Sequence, residues 1–283
     1  MYNIIVPIDF SKESLKGLEL AILLSSNIEC KIQMVYVQKK SLDYNPGSKE
    51  EEHRYAEKEF NAIIEKYSPT LSPKNKLSSI IKTGRIYREI VHQVESFNDS
   101  FIVSSTHGAS GFEKFFIGSN TFKIISATEK PVFTIRGTDL PNKISKIILP
   151  IDISVDTRQK LPFTAEIAKG FNAEVHVVTI TSLQTEDVTK KLTAYSNQVC
   201  EYLENRGVKY KTDSLIGKNL TDLVIDYANV VRADLISIMT EQISDANYML
   251  GSAAQGMLNK SSIPILCIKP KELHVSRAFR TQG

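Results

Sequence analysis

Short apolar runs alternate with longer amphipathic segments along the whole chain. In the first half, five runs rich in β-branched residues are typical of strands, and their sequences are NIIVPI, KIQMVYV, KLSSII, SFIVSS and PVFTI. The segments between them show helical spacing; in the first, Leu15, Leu18 and Ile22 share a face and Ser11 is a candidate N-cap. Strand runs that are apolar on both faces and separated by helices predict a mostly parallel sheet, covered by helices on both sides.

The second half of the chain repeats the first. The sequence YNIIVPIDFS at residues 2–11 returns as SKIILPIDIS at residues 145–154, which is an offset of 143. Farther along, the pair Gly118 and Ser119 returns as Gly251 and Ser252, at an offset of 133. The ten-residue difference predicts a longer loop in the first copy, around QKKSLDYNPGSKEEEH.

This repeat predicts two tandem domains, each of ordinary domain size. We expect a first domain at residues 1–138, a second at residues 144–270 and a frayed tail at residues 271–283. The polar segment GTDLPNKIS would link the domains. The expected fold class is therefore α/β, with two open sheets of five mostly parallel strands flanked by helices.

A pseudo-twofold axis is expected to relate the two domains, which would form an intramolecular pseudo-dimer with two separate sheets. The last strands, PVFTI and PILCI, are expected to contribute to the contact, because an edge strand needs covering. Pro162 falls inside the first helical pattern of the second domain, so that helix should start late or kink. A larger homodimer is compatible with this arrangement, but no pattern in the sequence favours it.

Composition narrows the classes of partner. The chain has 283 residues, with 35 Lys and Arg, 32 Asp and Glu, and a net charge of +3. A net charge this small produces only a weak electrostatic field, which gives no reason to expect nucleic acid or an anionic membrane as a partner. A small molecule or an unknown protein partner is therefore favoured. Three scattered cysteines and an N-terminus without a basic leader favour a reducing, cytoplasmic location.

The stretch STHGASGFEKFFIGSN, residues 105–120, has the composition of an anion cradle. It follows a predicted strand, at the edge where open α/β sheets bind ligands. Gly108 would let the backbone approach a ligand, while Gly118 and Ser119 open a helix whose unpaired N–H groups and dipole favour a phosphate. The alternative interpretation is an ordinary loop that ends in an N-cap serine.

Motifs of dedicated catalysis are missing from the sequence. It contains no Walker lysine motif, no Gly-x-Ser-x-Gly, no His-Glu-x-x-His and no cysteine and histidine at a metal-binding spacing. We therefore expect no enzyme, and a slow ATPase is a distant alternative.

The glycine spacing of residues 105–120, together with VPIDFS in the first strand, resembles the signature of the universal stress protein family. The resemblance covers nearly the whole chain twice, as in tandem members. It implies a five-stranded domain of the adenine nucleotide alpha hydrolase-like fold that binds ATP or AMP, with or without Mg²⁺, at the strand ends. The implied contacts are Pro7 and Asp9 near the adenosine, the Val37 backbone at the adenine edge, and Gly108, Gly118, Ser119 and Asn120 at the phosphates. His107 matches the histidine of the signature.

Two departures from the signature qualify this hypothesis. Ser105 stands where the first glycine belongs, and its side chain either crowds the nucleotide or adds a hydroxyl contact. In the second copy Met239 and Gln242 replace Ser105 and Gly108, so we expect an empty second site. The hypotheses that remain are a stress-response regulator that binds an adenine nucleotide in its first domain, and a nucleotide-independent interaction module that keeps only the fold.

Overall fold

The computed structural model describes residues 1–39, 46–106, 117–137, 140–240 and 250–271. The strands and helices that the apolar pattern predicts are present in the predicted order. The elements of the first half are β1 (Tyr2–Pro7), α1 (Lys12–Ser25), β2 (Cys30–Lys39), α2 (Pro46–Tyr67), β3 (Lys76–Gly84), α3 (Ile86–Glu95), β4 (Ser100–Ser105), α4 (Ser119–Ala127) and β5 (Val132–Ile135). Those of the second half are β6 (Lys146–Ile151), α5 (Leu161–Phe171), β7 (Glu174–Thr181), α6 (Glu186–Glu204), β8 (Tyr210–Ile216), α7 (Leu220–Val230), β9 (Leu235–Met239), α8 (Ser252–Lys260) and β10 (Ile265–Ile268).

The extra residues of the first half are spread over several elements. Helix α2 has 22 residues and α6 has 19, and the connection from α2 to β3 (residues 68–75) is longer than that from α6 to β8 (residues 205–209). A 3-10 turn at Ser68–Thr70 lengthens the exit from α2. The expectation that one longer loop holds the whole difference is therefore wrong.

The described strands form one ten-stranded sheet, in the order β3-β2-β1-β4-β5-β10-β9-β6-β7-β8. Within each half every pair is parallel, and the same strand order occurs twice. Between the halves β5 and β10 pair antiparallel, so the expected contact between the last strands is confirmed and the expectation of two separate sheets is wrong. Each of these strands would otherwise leave backbone donors and acceptors unpaired at an edge, and pairing satisfies both rows.

The register of the pairing between β5 and β10 is symmetric about a local twofold axis. Phe133 lies opposite Leu266, and Val132 lies opposite Cys267. Phe133 and Leu266 are also equivalent positions in the sequence repeat, at the offset of 133. Exchanging the two halves therefore maps the junction onto itself, as the predicted pseudo-twofold axis requires.

The hydrophobic core lies on both faces of the sheet and continues from one half into the other. Ile4 and Ile5 are both fully buried but belong to clusters on opposite faces, and each cluster contains residues of both halves. The ring of Phe163, on α5, lies 6.1 Å from the ring of Phe133. Tyr2 donates a hydrogen bond from its hydroxyl to Oε2 of Glu166 at 2.8 Å, and burial together with this carboxylate raises the pKa of Tyr2.

Helix α1 packs closely against the end of β4. Its N-cap is Ser11, as predicted, because the Ser11 Oγ accepts the backbone N–H of Ser14 at 3.1 Å. A Cβ atom on Gly17 would lie 3.2 Å from the backbone nitrogen of Ser105. The absence of a side chain at Gly17 therefore allows the helix to approach the strand end.

The corresponding helix of the second half begins late, as Pro162 predicts. A 3-10 turn at Val155–Arg158 comes first, and Pro162 is the second residue of α5. Lys160 occupies the position that corresponds to Gly17, and only 3% of it is exposed. Its Nζ donates to the carbonyl oxygen of Thr157 at 2.6 Å, and burial lowers the pKa of Lys160 to about 8 against the attraction of the Asp152 carboxylate.

We expect Lys160 to make the stability of the protein depend on pH. Its pKa falls from 10.5 to about 8 on folding, so the unfolded chain binds more protons between these values. The free energy of unfolding should therefore rise with pH across this window, by about 3 kcal/mol in total. Urea unfolding of Lys160→Met should lack this rise, whereas Lys169→Met, at an exposed position of α5, should follow the wild type. Parallel pH profiles for the wild type and Lys160→Met would contradict the assignment.

Candidate functional site

A cleft of about 530 Å³ opens at the carboxyl ends of β1, β2 and β4, beside the start of α4. Seven of the nine predicted site residues line it, and they come from four separate elements and their ends: Pro7, Asp9, Val37, Ser105, Gly118, Ser119 and Asn120. The other two, His107 and Gly108, lie outside the described residues. The fold thus brings together residues that are more than a hundred positions apart in the sequence.

The N-terminus of α4 presents backbone amides to this cleft. The first amide bonded within the helix is that of Phe122, which donates to the Gly118 carbonyl at 3.0 Å. Ser119 and Asn120 are exposed, and among the described residues no side chain caps the helix. Free N–H groups in a first helical turn, at the positive end of the helix dipole, favour an anion.

Gly118 joins the start of α4 to the backbone that follows β4. Its N–H donates to the carbonyl oxygen of Thr106 at 2.6 Å, so the expectation that this amide is free for a phosphate is wrong. A Cβ atom here would lie 2.9 Å from the same oxygen, closer than side chains approach. Gly118 therefore positions the helix, and the amides available to a ligand begin at Ser119.

Asp9 combines an exposed side chain with a structural turn. Its Oδ1 accepts hydrogen bonds from the backbone N–H and the hydroxyl of Ser11. In the second half Asp152 holds the same turn with Ser154. Because the turn recurs in a domain without the glycine signature, these bonds belong to the fold rather than to a ligand.

The end of β2 exposes part of its backbone to the cleft. β1 stops pairing with β2 at Pro7, opposite Val35, and the N–H of Ile8 still donates to the Val35 carbonyl at 2.9 Å. Alternate residues of a strand direct their backbone groups to the same side, so Val37 directs its N–H and C=O past the end of β1. Beyond the end of β1, no strand of the described chain pairs with β2 on that side.

Aliphatic side chains form one wall of the cleft, and two of its charged members, Lys39 and Glu52, were not predicted from the sequence. Val35, Val37 and Ile124 contribute buried aliphatic surface. Lys39 and Glu52 add one charge of each sign, and the hydroxyl of Tyr36 donates to Oε1 of Glu52 at 2.6 Å. Glu52 lies in a run of acidic residues whose pattern predicts only a solvated helix face, so the sequence contained no signal for its position.

The end of β4 is fastened to α4 through Ser105. Its carbonyl oxygen accepts a hydrogen bond from Oγ1 of Thr121 at 2.8 Å. The strand register places Met239 at the equivalent position, because Ser105 pairs with Ile135 and Met239 pairs with Ile268. The sequence comparison of Ser105 with Met239 is therefore confirmed, whereas Gln242 lies outside the described residues.

The described residues contain neither a membrane-spanning helix nor a cluster of metal ligands. No helix there is both long enough and apolar enough to cross a bilayer. Nor do three His, Cys, Asp or Glu side chains of the described ranges come together as metal ligands would.

Comparison with known proteins gives the fold and the family. A universal stress protein from Archaeoglobus fulgidus aligns with 94% of this chain and 98% of its own, at 20% identity and a TM-score of 0.77. A Pseudomonas aeruginosa structure, provisionally described as a universal stress protein, aligns with 95% of this chain and 93% of its own, at 14% identity and a TM-score of 0.62. An Archaeoglobus fulgidus universal stress protein in complex with dAMP aligns with 44% of this chain and 98% of its own, at 25% identity and a TM-score of 0.37.

A search of curated protein sequences finds no significant match. The model of the universal stress protein family matches the chain twice, at residues 1–136 and again at residues 143–269. The two matches account for nearly every residue of the repeat described above. The chain therefore belongs to the universal stress protein family.

Proposed function

We propose that the chain is a regulatory protein that binds an adenine nucleotide in the cleft of its first domain, and that its second domain does not. One observation supports this most directly. The same cleft contains free helix N-terminal amides at one side and an apolar wall with exposed strand backbone at the other. Ligand pockets that bind a molecule with a flat apolar part and a charged part combine these two features.

The base would lie against the apolar wall. Val35, Val37 and Ile124 provide aliphatic contact, and the exposed N–H and C=O of Val37 can pair with a donor and an acceptor on the edge of a heteroaromatic ring. Since the fold directs these backbone groups, a side-chain substitution at Val37 would change the packing but leave the hydrogen-bonding groups in place.

The sugar and the phosphate would follow toward α4. Asp9 projects an exposed carboxylate at the end of β1, where it can accept from ribose hydroxyl groups. The amides of Ser119 and Asn120 and the Ser119 hydroxyl would hold a phosphate. A Mg²⁺ ion would enter with the phosphates, because it is usually held by one or two carboxylates together with phosphate oxygens.

The second domain lacks two features of this arrangement. Met239 replaces Ser105 at the end of the equivalent strand, and the buried Lys160 replaces Gly17 beside it. Both substitutions add side-chain volume near the equivalent strand ends. The retained Asp152, Gly251 and Ser252 would then serve the turn and the helix start alone.

Nucleotide binding itself is tested by native mass spectrometry of the purified chain, followed by calorimetric titration. The probes are adenosine, AMP, dAMP, ATP and cyclic AMP. We expect one equivalent of ligand per chain, because Met239 and Lys160 add side-chain volume at the equivalent strand ends of the second domain. If no nucleotide is bound and titration at millimolar ligand gives no heat, the nucleotide-independent interaction module replaces this proposal.

The hydroxyl of Ser119 should contribute to phosphate binding alone. Ser119→Ala should weaken AMP and ATP about five- to a hundredfold, as expected for a hydrogen bond to a charged group, and leave adenosine unchanged. Ser252→Ala changes the equivalent first residue of α8 and is the matched control, with no effect on affinity. An equal loss for adenosine and AMP in Ser119→Ala would argue against a phosphate at this helix.

Asp9→Ala should weaken adenosine and AMP alike, because a ribose contact is common to both. Asp152→Ala removes the same turn bonds from the second domain, so each variant should lose about 0.5–2 kcal/mol of stability, as for a lost cap. Only Asp9→Ala should also lose affinity in calorimetric titration. Unchanged affinity in a folded Asp9→Ala would restrict this residue to its turn.

A further inference from the structure

A second cleft, of about 410 Å³, lies between α6 and the carboxyl-terminal halves of β7 and β8. We call it the hydroxyl cleft, because seven of its lining residues are serine or threonine. Its members are Thr179, Thr181, Leu183, Gln184, Thr189, Leu192, Thr193, Ser196, Asn197, Thr212, Asp213, Ser214 and Ile216. It shares no residue with the cleft of the first domain, and it takes no part in the proposed nucleotide site.

Helix α6 contributes five residues to the lining of the cleft. Leu192 is buried and Ser196 is half-buried, whereas Thr189, Thr193 and Asn197 are exposed. The stripe of α6 that faces the sheet continues from Leu192 and Ser196 to Val199 and Leu203, which are fully buried. Ser196 is therefore the lining hydroxyl of α6 that lies on the sheet-facing stripe, and the three exposed residues border the cleft from its open side.

The strands complete the polar lining from the opposite side. Thr179 of β7 lies directly opposite Ser214 of β8, and both line the cleft. Thr181 and Thr212 are two positions away along their strands, so their side chains point to the same face of the sheet. The hydroxyls of Thr179 and Thr181 donate to the backbone carbonyls of Asp213 and Leu183. Thr212 and Ser214 therefore carry the hydroxyl lining on the side of the sheet.

The first domain fills the equivalent space with aromatic rings. There the Phe10 ring lies 5.0 Å from the ring of Tyr36 and 5.2 Å from that of Phe60. The repeat places Ile153 at the position of Phe10 and Thr179 at that of Tyr36.

The buried residues of the two helices share one spacing, which gives the third equivalence. On α2 they are Ala56, Phe60, Ile63 and Tyr67, and on α6 they are Leu192, Val199 and Leu203, with Ser196 in the place of Phe60. The second domain therefore has an open, hydroxyl-lined cleft where the first domain has an aromatic cluster.

The lining chemistry selects a class of ligand. Hydroxyl and amide groups both donate and accept hydrogen bonds, so they suit a partner with the same dual character. None of the lining residues is Lys, Arg or His, which leaves a phosphate without a cation, and the carboxylate of Asp213 points to the opposite face of the sheet, toward Tyr227. Leu183 and Ile216, which are 55% and 49% exposed, add apolar surface for C–H groups.

We propose that the hydroxyl cleft binds a neutral, polyhydroxylated small molecule, a sugar or a polyol. Its volume falls within the range of about 300–1,000 Å³ that is typical of small-molecule sites. Thr193, Ser196 and Ser214 present hydroxyls from the two sides to a ring of matching donors and acceptors. The nucleotide cleft, in contrast, combines charged residues with a helix N-terminus.

The test is a titration of the isotope-labelled full chain, followed by amide NMR, with glucose and myo-inositol as probes and AMP as the charged contrast. Saturable shift changes confined to the residues of the hydroxyl cleft are expected with either neutral probe. AMP should leave those amides unchanged and move only those of the first-domain cleft. Failure of the nucleotide proposal would therefore show in the AMP titration alone.

Three variants make the test specific. Ser196→Phe restores the ring of the first domain and should abolish the shifts, whereas Ala194→Phe places the same ring on the exposed face of α6 and should preserve them. Thr193→Val keeps the shape of the side chain and should weaken binding about two- to tenfold, as for one neutral hydrogen bond. The proposal is overturned if neither neutral probe shifts the cleft amides at millimolar concentration, or if the shifts persist in a folded Ser196→Phe.

Discussion

The antiparallel pairing of β5 with β10 is the interaction on which the rest of the molecule depends. Each half alone is a parallel sheet with an open edge at its last strand, and an open edge of this kind is a site of unwanted pairing. Pairing the two edges satisfies both and joins the hydrophobic clusters of the halves into one core on each face. Because the pairing is antiparallel, the carboxyl ends of the first five strands point away from those of the second five. The two clefts therefore open at opposite ends of the sheet, and a ligand in one has no direct contact with a ligand in the other.

The sequence predicts the elements of this fold well, because each one follows from a local pattern. Apolar runs locate the strands, Ser11 marks the start of α1, and Pro162 delays the start of α5. The merging of the sheets was not predicted, since backbone pairing between two strands leaves no side-chain pattern that distinguishes it from simple packing. The repeat did predict which two strands would meet, and the register at Phe133 and Leu266 preserves its symmetry.

In the candidate site, too, the sequence predicts the residues that a local pattern locates but not those that only the tertiary fold brings to the cleft. Pro7, Val37 and Ser119 reach one cleft because each stands at the end of a strand or the start of a helix, which a sequence pattern can locate. Glu52 and Lys39 reach it through the packing of α2 and the length of β2, which no motif records. The amide of Gly118 was assigned wrongly for the same reason, because its partner is the backbone carbonyl of Thr106, beside the end of β4, and only the tertiary fold brings the two together.

The divergence of the two halves follows a simple physical rule. A position that a ligand or a packed ring requires can change once the requirement is gone, while a position that the backbone requires is kept. Lys160 stands at the position of Gly17 and Ser196 at that of Phe60, whereas both halves have the aspartate turn, at Asp9 and Asp152. Residues shared by both halves are therefore evidence for the fold, and residues that differ show where each half has its own chemistry.

Carrying both halves on one chain changes how the twofold contact at β5 and β10 forms. In a dimer of separate subunits this contact would depend on the concentration of the protein in the cell. Here the linker holds the two strands at a high effective concentration, so the contact is intramolecular and survives dilution. In a symmetric homodimer every substitution appears in both subunits. In a tandem chain a substitution changes only the half in which it occurs. Each half can then lose or gain a binding site by single substitutions, while the other half continues to supply the surface that keeps it folded.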